Sequence, residues 1–181
     1  MGFDMRLNTL IRRVERVRDD MEDEVRKACR NHERWIVSAN KKQLKKGNNA
    51  NGWLMNAGKY SRSHNWARRY VELPVDHVYL DFGGDLQDEM YVEFGQHGFN
   101  VRSNDWKQWM VDYTMETGYW PSGHKTAHYG HVFGLDAANK AKLARKIAPT
   151  LAKRVRKKLG IGEKSVGNAG GGKNFGWIIV R

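Results

Sequence analysis

The sequence predicts a single α+β domain with helices at both ends of the chain and a small antiparallel sheet between them. Two segments carry apolar residues at helical spacing, one over residues 4–44 and one over residues 135–159. Between them lie short alternating runs separated by Pro and Gly, which is the pattern of antiparallel strands. We therefore assign residues 1–160 to one domain and residues 161–181 to a C-terminal arm.

The first predicted element is one long helix over residues 4–44, which contain neither Gly nor Pro. At about 1.5 Å per residue this helix would be roughly 60 Å long, more than a small domain needs, so part of it is expected to project or to pack on another subunit. Asp4 is the expected N-cap, and Gly47 is the expected stop. The side chains of one apolar seam lie seven residues apart along the segment: Leu7, Val14, Met21, Ala28 and Trp35.

A polar loop and a sheet are predicted next. Residues 47–65 are rich in Gly, Asn, Ser and Lys, which is typical of a mobile loop, and Trp53 is the largest apolar residue among them. Pro74 and a Gly-Gly-Asp turn at 83–85 separate the alternating runs that follow at hairpin-like distances. An antiparallel sheet of at least three strands is expected, over residues 66–73, 77–82 and 90–94.

Residues 96–130 are predicted to be an aromatic insertion, with a short helix within 105–115. Clustered aromatics can stack on single-stranded bases. We interpret Trp106, Trp109 and Trp120 instead as interface residues, together with Trp53 of the loop, because Trp and Tyr are enriched where proteins meet.

The second long helix, over residues 135–159, is strongly basic. Nine Lys or Arg lie between residues 140 and 158, and the acidic Asp136 lies near its N-terminus, where the helix dipole favours a negative charge. Pro149 is expected to kink or interrupt the helix at Ala148. An apolar ridge at every fourth residue forms its buried side: Leu143, Ile147, Leu151, Val155 and Leu159.

The C-terminal arm joins a Gly-rich linker, residues 160–173, to an apolar strand, residues 175–181. Such a linker has a root-mean-square reach of about 20 Å, enough to cross from one subunit to the next. We expect the strand to pair with a sheet edge, preferably that of another chain, with Phe175, Trp177 and Ile179 in the interface.

Charge and composition set the expected partners. The chain has 32 Lys and Arg against 20 Asp and Glu, a net charge of +12, which favours nucleic acid or an acidic protein surface. The single cysteine, Cys29, excludes an intramolecular disulfide, so we expect folding in the cytosol. No stretch of the sequence approaches the ~20 apolar residues that a membrane span needs, so we expect no membrane span. Two groups of cations are the candidate electrostatic site: Lys41, Lys42, Lys45 and Lys46, and Lys153, Arg154, Arg156, Lys157 and Lys158.

Neither of two candidate metal-binding groups is favoured. His124, His128 and His131 have ligand-like spacing, but glycines interrupt the run and no Cys, Asp or Glu lies within it, so we expect no metal. The acidic residues fall in predicted turns and strands, where carboxylates normally face solvent. A metal-dependent nuclease is therefore the third hypothesis, and its candidate residues are Asp76, Asp81, Asp85, Asp88, Glu89 and Glu93.

Two short motifs, in this order of elements, resemble a known family. Residues 91–95 read Tyr-Val-Glu-Phe-Gly at the end of a strand, and residues 132–138 read Val-Phe-Gly-Leu-Asp-Ala-Ala at the entry to a helix. Over most of residues 4–160 the chain is similar to the small neck proteins of tailed bacteriophages, which are head-tail connector, tail terminator or tail-completion proteins.

The resemblance implies a structural virion protein that forms a homo-oligomeric ring between head and tail around the DNA channel, without cofactor or catalysis. Its expected partners are further copies of itself, neighbouring connector, portal-adaptor or tail-tube proteins, and genomic DNA through non-specific electrostatics. It implies synthesis in the bacterial cytoplasm and a final place in the virion. A sequence-independent nucleic-acid-binding protein is the alternative.

Overall fold

The computed structural model describes residues 2–78, 80, 85–121 and 128–161, and for residues 2–6 only the helical backbone. It confirms the α+β class. Within the described residues the helices are α1 (Gly2–Asp19), α2 (Met21–Arg30), α3 (Glu33–Lys45), α4 (Arg62–Tyr70), the short α5 (Asp85–Asp88), α6 (Gln108–Thr117) and α7 (Ala137–Leu159), and the strands are β1 (Met90–Phe94) and β2 (Phe99–Ser103).

The predicted long N-terminal helix is confirmed in outline, and the structure divides it into α1, α2 and α3, with breaks at Asp20 and at residues 31–32. The charges favour both breaks. Basic residues lie in the last turns of α1 and α2, and acidic residues lie in the first turns of α2 and α3, as helix dipoles favour. The expected N-cap at Asp4 is wrong, since α1 begins at Gly2. The predicted stop at Gly47 is confirmed by its left-handed φ of 77° just after α3.

The predicted strand over residues 66–73 is mostly helix α4. The Ser61 hydroxyl accepts a hydrogen bond from the His64 N–H at 3.3 Å and caps the first turn. Trp66 and Tyr70 then stack at 5.8 Å between ring centroids, the contact expected of residues four apart on a helix. In the predicted strand over 77–82, the described residues 77, 78 and 80 are not in a strand.

The sheet contains β1 as predicted, but its partner is β2, which the sequence placed inside the aromatic insertion. The two strands are antiparallel, with Met90 opposite Ser103 and Phe94 opposite Phe99. Within the described part of the chain the sheet has two strands, so the prediction of at least three is wrong there. The short helix predicted within residues 105–115 is confirmed as α6.

Helix α7 confirms the predicted basic helix. Asp136 caps it by accepting the Asn139 N–H at 2.7 Å, and Gly160 ends it with a left-handed φ of 73°. The predicted interruption at Pro149 is wrong, because the helix runs through this residue. Leu143 and Ile147 are buried in the core, and this packing offsets the roughly 3 kcal/mol that an interior proline costs. The arm, with Phe175, Trp177 and Ile179, lies outside the described residues.

The first half of the predicted loop is anchored to the core by buried residues. Met55 is fully buried, and so is the Asn49 side chain, whose Nδ2 donates to the Tyr129 carbonyl at 3.0 Å. Gln43 of α3 donates to the Asn49 carbonyl at 2.8 Å and to the Gly134 carbonyl at 3.0 Å. These buried hydrogen bonds tie α3, residues 47–55 and residues 129–136 into one body.

Candidate assembly surfaces

Helix α1 carries an exposed apolar stripe. Leu7, Leu10, Ile11 and Val14 follow helical spacing, and each is between 46% and 50% exposed. The seam predicted along one long helix is therefore divided, since Ala28 is buried in the core and Trp35 packs against it, whereas the α1 portion faces outward. The stripe is the surface that the predicted packing on another subunit would use.

Helix α6 and the turn before it present an aromatic surface made by three exposed residues. Trp106, Trp109 and Tyr113 lie at spacings of three and four, and Trp106 is 71% exposed. Trp120 differs from the other predicted interface residues because it is half-buried against Tyr129, at 5.1 Å between ring centroids. Trp53 is exposed beside the bridge that joins Asn48 to Leu54.

A further exposed aromatic pair, Trp66 and Tyr70, lies on α4 and was not predicted as an interface. The two rings stack on each other and remain largely in solvent. The spacing of four residues was the available signal, but it also fits one face of a strand, which is how the segment was interpreted. The described chain therefore exposes large apolar side chains on α1, α4 and α6.

The nine predicted cations are not equivalent, because at least three of them, Lys41, Arg154 and Lys158, form ion pairs with described residues of the fold. Lys41 lies 3.2 Å from Asp88. Arg154 and Lys158 of α7 each lie 2.9 Å from a different carboxylate oxygen of Glu24 on α2. We call Glu24, Arg154 and Lys158 the α2–α7 clamp. Its cations join two helices and are not available to a partner without breaking that contact.

The electrostatics of the clamp follow from these contacts. The hydrogen bond from Lys158 lowers the pKa of Glu24 against the opposing effect of burial. A hydrogen bond to Asp20, at 2.9 Å, is the main cause that raises the pKa of Lys158. Both groups therefore stay charged over a wider pH range than they would in the unfolded chain. The other predicted cations are exposed, namely Lys42, Lys45 and Lys46 at the end of α3 and Lys153, Arg156 and Lys157 on α7.

The candidate metal and nuclease residues are dispersed. Asp76 contacts His77, Asp88 contacts Lys41, and Glu93 contacts Arg102, each in a separate pair. His128 and His131 are exposed, whereas His124 and Asp81 lie outside the described residues. Among the described residues, no group of three or more His, Cys, Asp or Glu lies close enough to hold a metal ion. Cys29 is buried, and burial raises the pKa of its thiol.

An open apolar cavity of about 550 Å³ lies between β2, α6 and α7. No local pattern in the sequence indicates this cavity, because separate segments of the chain build its wall. Its polar groups are few and include His131 and Lys140. The apolar side chains that line it are Phe99, Val101, Met115, Phe133, Leu135, Leu143 and Ile147.

Comparisons with known proteins identify no relative for this chain. No protein-family model, no curated protein and no solved structure matches it. The similarity to phage neck proteins therefore rests on the two short motifs and the order of the elements. Within the described part of the chain, no helix has the length and apolar character needed to cross a membrane.

Proposed function

We propose that this chain is a structural assembly protein that forms a homo-oligomeric ring at the head-tail junction of a tailed bacteriophage. The exposed stripe of α1 is the observation that carries the proposal. Burying the exposed half of four aliphatic side chains contributes about 1 kcal/mol each. A soluble monomer has little use for such a stripe beside further exposed aromatics on α4 and α6, whereas a subunit interface requires one.

In this proposal α1 supplies the lateral contact between neighbouring subunits. The aromatic surface of α6 and Trp53 make contacts to adjoining rings of connector, portal-adaptor or tail-tube proteins, and the C-terminal arm contacts a neighbouring chain. The exposed lysines at the end of α3 face the DNA channel or an acidic partner. The mature protein resides in the virion, and it acts by binding and not by catalysis.

The native mass of the purified chain tests this function, measured against the variant Ile11→Ser. We expect the wild type to form a closed oligomer of several copies and the variant to shift to smaller species. Ala152→Ser, at an exposed position of α7, is the matched control and should leave the mass unchanged. A wild-type chain that is monomeric at micromolar concentration would contradict the proposal.

Sequence-independent nucleic-acid binding is the second candidate, and the exposed group Lys42, Lys45 and Lys46 favours it. Each phosphate contact changes the slope of log K against log salt by about 0.9 for duplex DNA. Replacing these three lysines by Gln should therefore flatten the slope by up to about 2.7. The control Lys41→Gln should change it less, because Lys41 is already paired with Asp88. A sequence-selective, salt-insensitive footprint would contradict this candidate.

A further inference from the structure

The hydrogen-bond pattern of the hairpin shows which backbone groups of β2 face outward. The Gly95 N–H donates to the Gly98 carbonyl at 3.0 Å, and the Asn104 N–H donates to the Glu89 carbonyl at 3.2 Å. In an antiparallel pair, residues that bond to the partner strand alternate with residues whose backbone groups point away. Both bonds require that the backbone N–H and C=O groups of the even-numbered residues of β2 point towards β1.

The odd-numbered residues of β2 therefore present their N–H and C=O groups to the other side. Ser103 confirms this, because its N–H donates to the Gln108 side chain at 2.7 Å and not to β1. For Phe99 and Val101, no bond from the outward groups to another described residue is formed. Within the described part of the chain, the outer edge of β2 is thus open over these two residues, the condition under which a sheet accepts another strand.

The apolar cavity runs along this open edge. Four consecutive residues, 98–101, line it. Side chains alternate between the two faces of a strand, so a cavity on one face would touch only every second residue. Unpaired peptide groups beside an apolar trough favour an extended peptide over a compact ligand, because main-chain bonds and alternating side chains are satisfied together.

The chain contains a segment with these properties. Residues 174–181 read Asn-Phe-Gly-Trp-Ile-Ile-Val-Arg, rich in aromatic and β-branched residues, and lie outside the described part. Helix α7 runs about 24 Å from Leu143, which lines the cavity, to its end at Leu159, at about 1.5 Å per residue. The twelve residues 162–173 have a root-mean-square span of about 20 Å as a Gly-rich linker. The segment can therefore reach such a cavity.

We propose that residues 174–181 of a second copy add as a strand to the outer edge of β2 and seat Trp177 and Ile179 in the cavity. The end of α7 lies against α1, since Arg13 Nη1 donates to the Leu159 carbonyl at 3.1 Å. The arm thus departs beside the stripe of α1, the proposed subunit boundary, which favours delivery to a neighbour. The inference rests on the proposed function only in supplying that second copy.

Disulfide trapping in the full-length chain tests the pairing, on a Cys29→Ser background that removes the native thiol. One preparation carries Asn100→Cys, at an exposed position of β2, and a differently tagged one carries Ile178→Cys, on the face opposite Trp177 and Ile179. On mixing and mild oxidation we expect a disulfide between the two different chains. Ala152→Cys, exposed on α7, replaces Asn100→Cys in the control and should give background yield only.

A second variant pair tests the cavity independently. Ala144 is exposed and lines the cavity, whereas Ala141 is exposed one turn earlier and does not. Ala144→Arg should lower the disulfide yield at least about tenfold, because it places a bulky charge among the apolar contacts. Ala141→Arg should leave the yield unchanged, and both variants should unfold at the wild-type temperature.

The outcomes separate this inference from the proposed function. An oligomeric mass with a selective interchain disulfide is the expected result. If the chain is oligomeric but its disulfide yield equals that of the control, the inference is overturned and the proposed ring is unaffected. A monomeric mass with a selective interchain disulfide overturns the ring and keeps the strand addition. A disulfide that forms only within one doubly substituted chain overturns the assignment to a second copy.

Discussion

The α2–α7 clamp predicts that Glu24→Gln destabilises the fold without unfolding it. Glu24 is the shared acceptor, with its side chain only 12% exposed, while Arg154 and Lys158 are 32% and 33% exposed. Gln has the same shape as Glu but no charge. The substitution therefore removes the electrostatic attraction and leaves the packing of α2 against α7 in place.

The expected loss of stability follows from the burial of the clamp, which lies between that of a fully buried ion pair and that of an exposed one. Breaking a fully buried pair costs about 3–5 kcal/mol because it leaves a desolvated charge, whereas an exposed pair contributes about 0–1 kcal/mol. Here the buried partner is the one neutralised, and the two cations left behind can reach solvent. We therefore expect a loss of about 1–2 kcal/mol in the free energy of unfolding, equivalent to about 3–6 °C in Tm.

Chemical and thermal unfolding of wild type, Glu24→Gln and the control Glu22→Gln measure this effect. Glu22 is on the same helix, but its contact to His97 is 3.5 Å long and well exposed on both sides. Its variant should change stability by less than about 0.5 kcal/mol. If Glu24→Gln behaves like the control, Arg154 and Lys158 do not act as a clamp, and Arg154 returns to the group of cations open to a partner, while Lys158 keeps its contact with Asp20.

The contribution of Glu24 to the free energy of unfolding depends on pH with a defined sign. Because the pKa of Glu24 is lowered in the folded state, its contribution is present above the ordinary carboxyl range and is lost as the pH falls through the lowered value. The stability difference between wild type and Glu24→Gln should therefore be constant near neutrality and shrink below about pH 4. A difference that grows on acidification would contradict the assignment.

The remaining predictions concern assembly and activity. Ile11→Ser should reduce the native mass yet lower the free energy of unfolding by only about 1 kcal/mol, because about half of the side chain is already in solvent. Replacing both Lys45 and Lys46 by Gln should weaken duplex DNA binding equally for all sequences, as filter binding at several salt concentrations would show. Deleting residues 167–181 should abolish assembly, as native mass would show, and leave thermal unfolding near wild type. Nuclease assays with Mg²⁺ or Mn²⁺ should show no cleavage, and a cleavage activity lost in Glu93→Gln would contradict this.

The elements that the sequence predicted correctly are those with local signals. Helix α7 has a cap at Asp136, a glycine stop at Gly160 and a regular apolar ridge, and each signal acts within a few residues. Strand β1 alternates clearly between the turn residues that flank it.

The errors have physical causes of two kinds. Trp66 and Tyr70 fit one face of a helix and of a strand equally well, and the Ser61 cap decides in favour of the helix. In the N-terminal segment the apolar seam continues across Asp20 although the helix does not, so periodicity alone hid the break. The charges at the helix ends were the signal that periodicity left out.

The candidate surfaces were predictable only where a residue's role depends on its own exposure. Trp106 and Trp109 are exposed as an interface requires. By contrast, Arg154 meets a carboxylate 130 positions away, a pairing that no local pattern encodes. The open edge of β2 and its cavity likewise require a knowledge of which segments pack together.

The central claim, that the chain assembles with copies of itself through α1, is tested most directly by the native mass. The mass of the wild type should correspond to a closed ring of identical subunits, and Ile11→Ser should shift it towards the monomer while the fold survives. A monomeric wild type, or an oligomer whose mass Ile11→Ser leaves unchanged, would contradict the account.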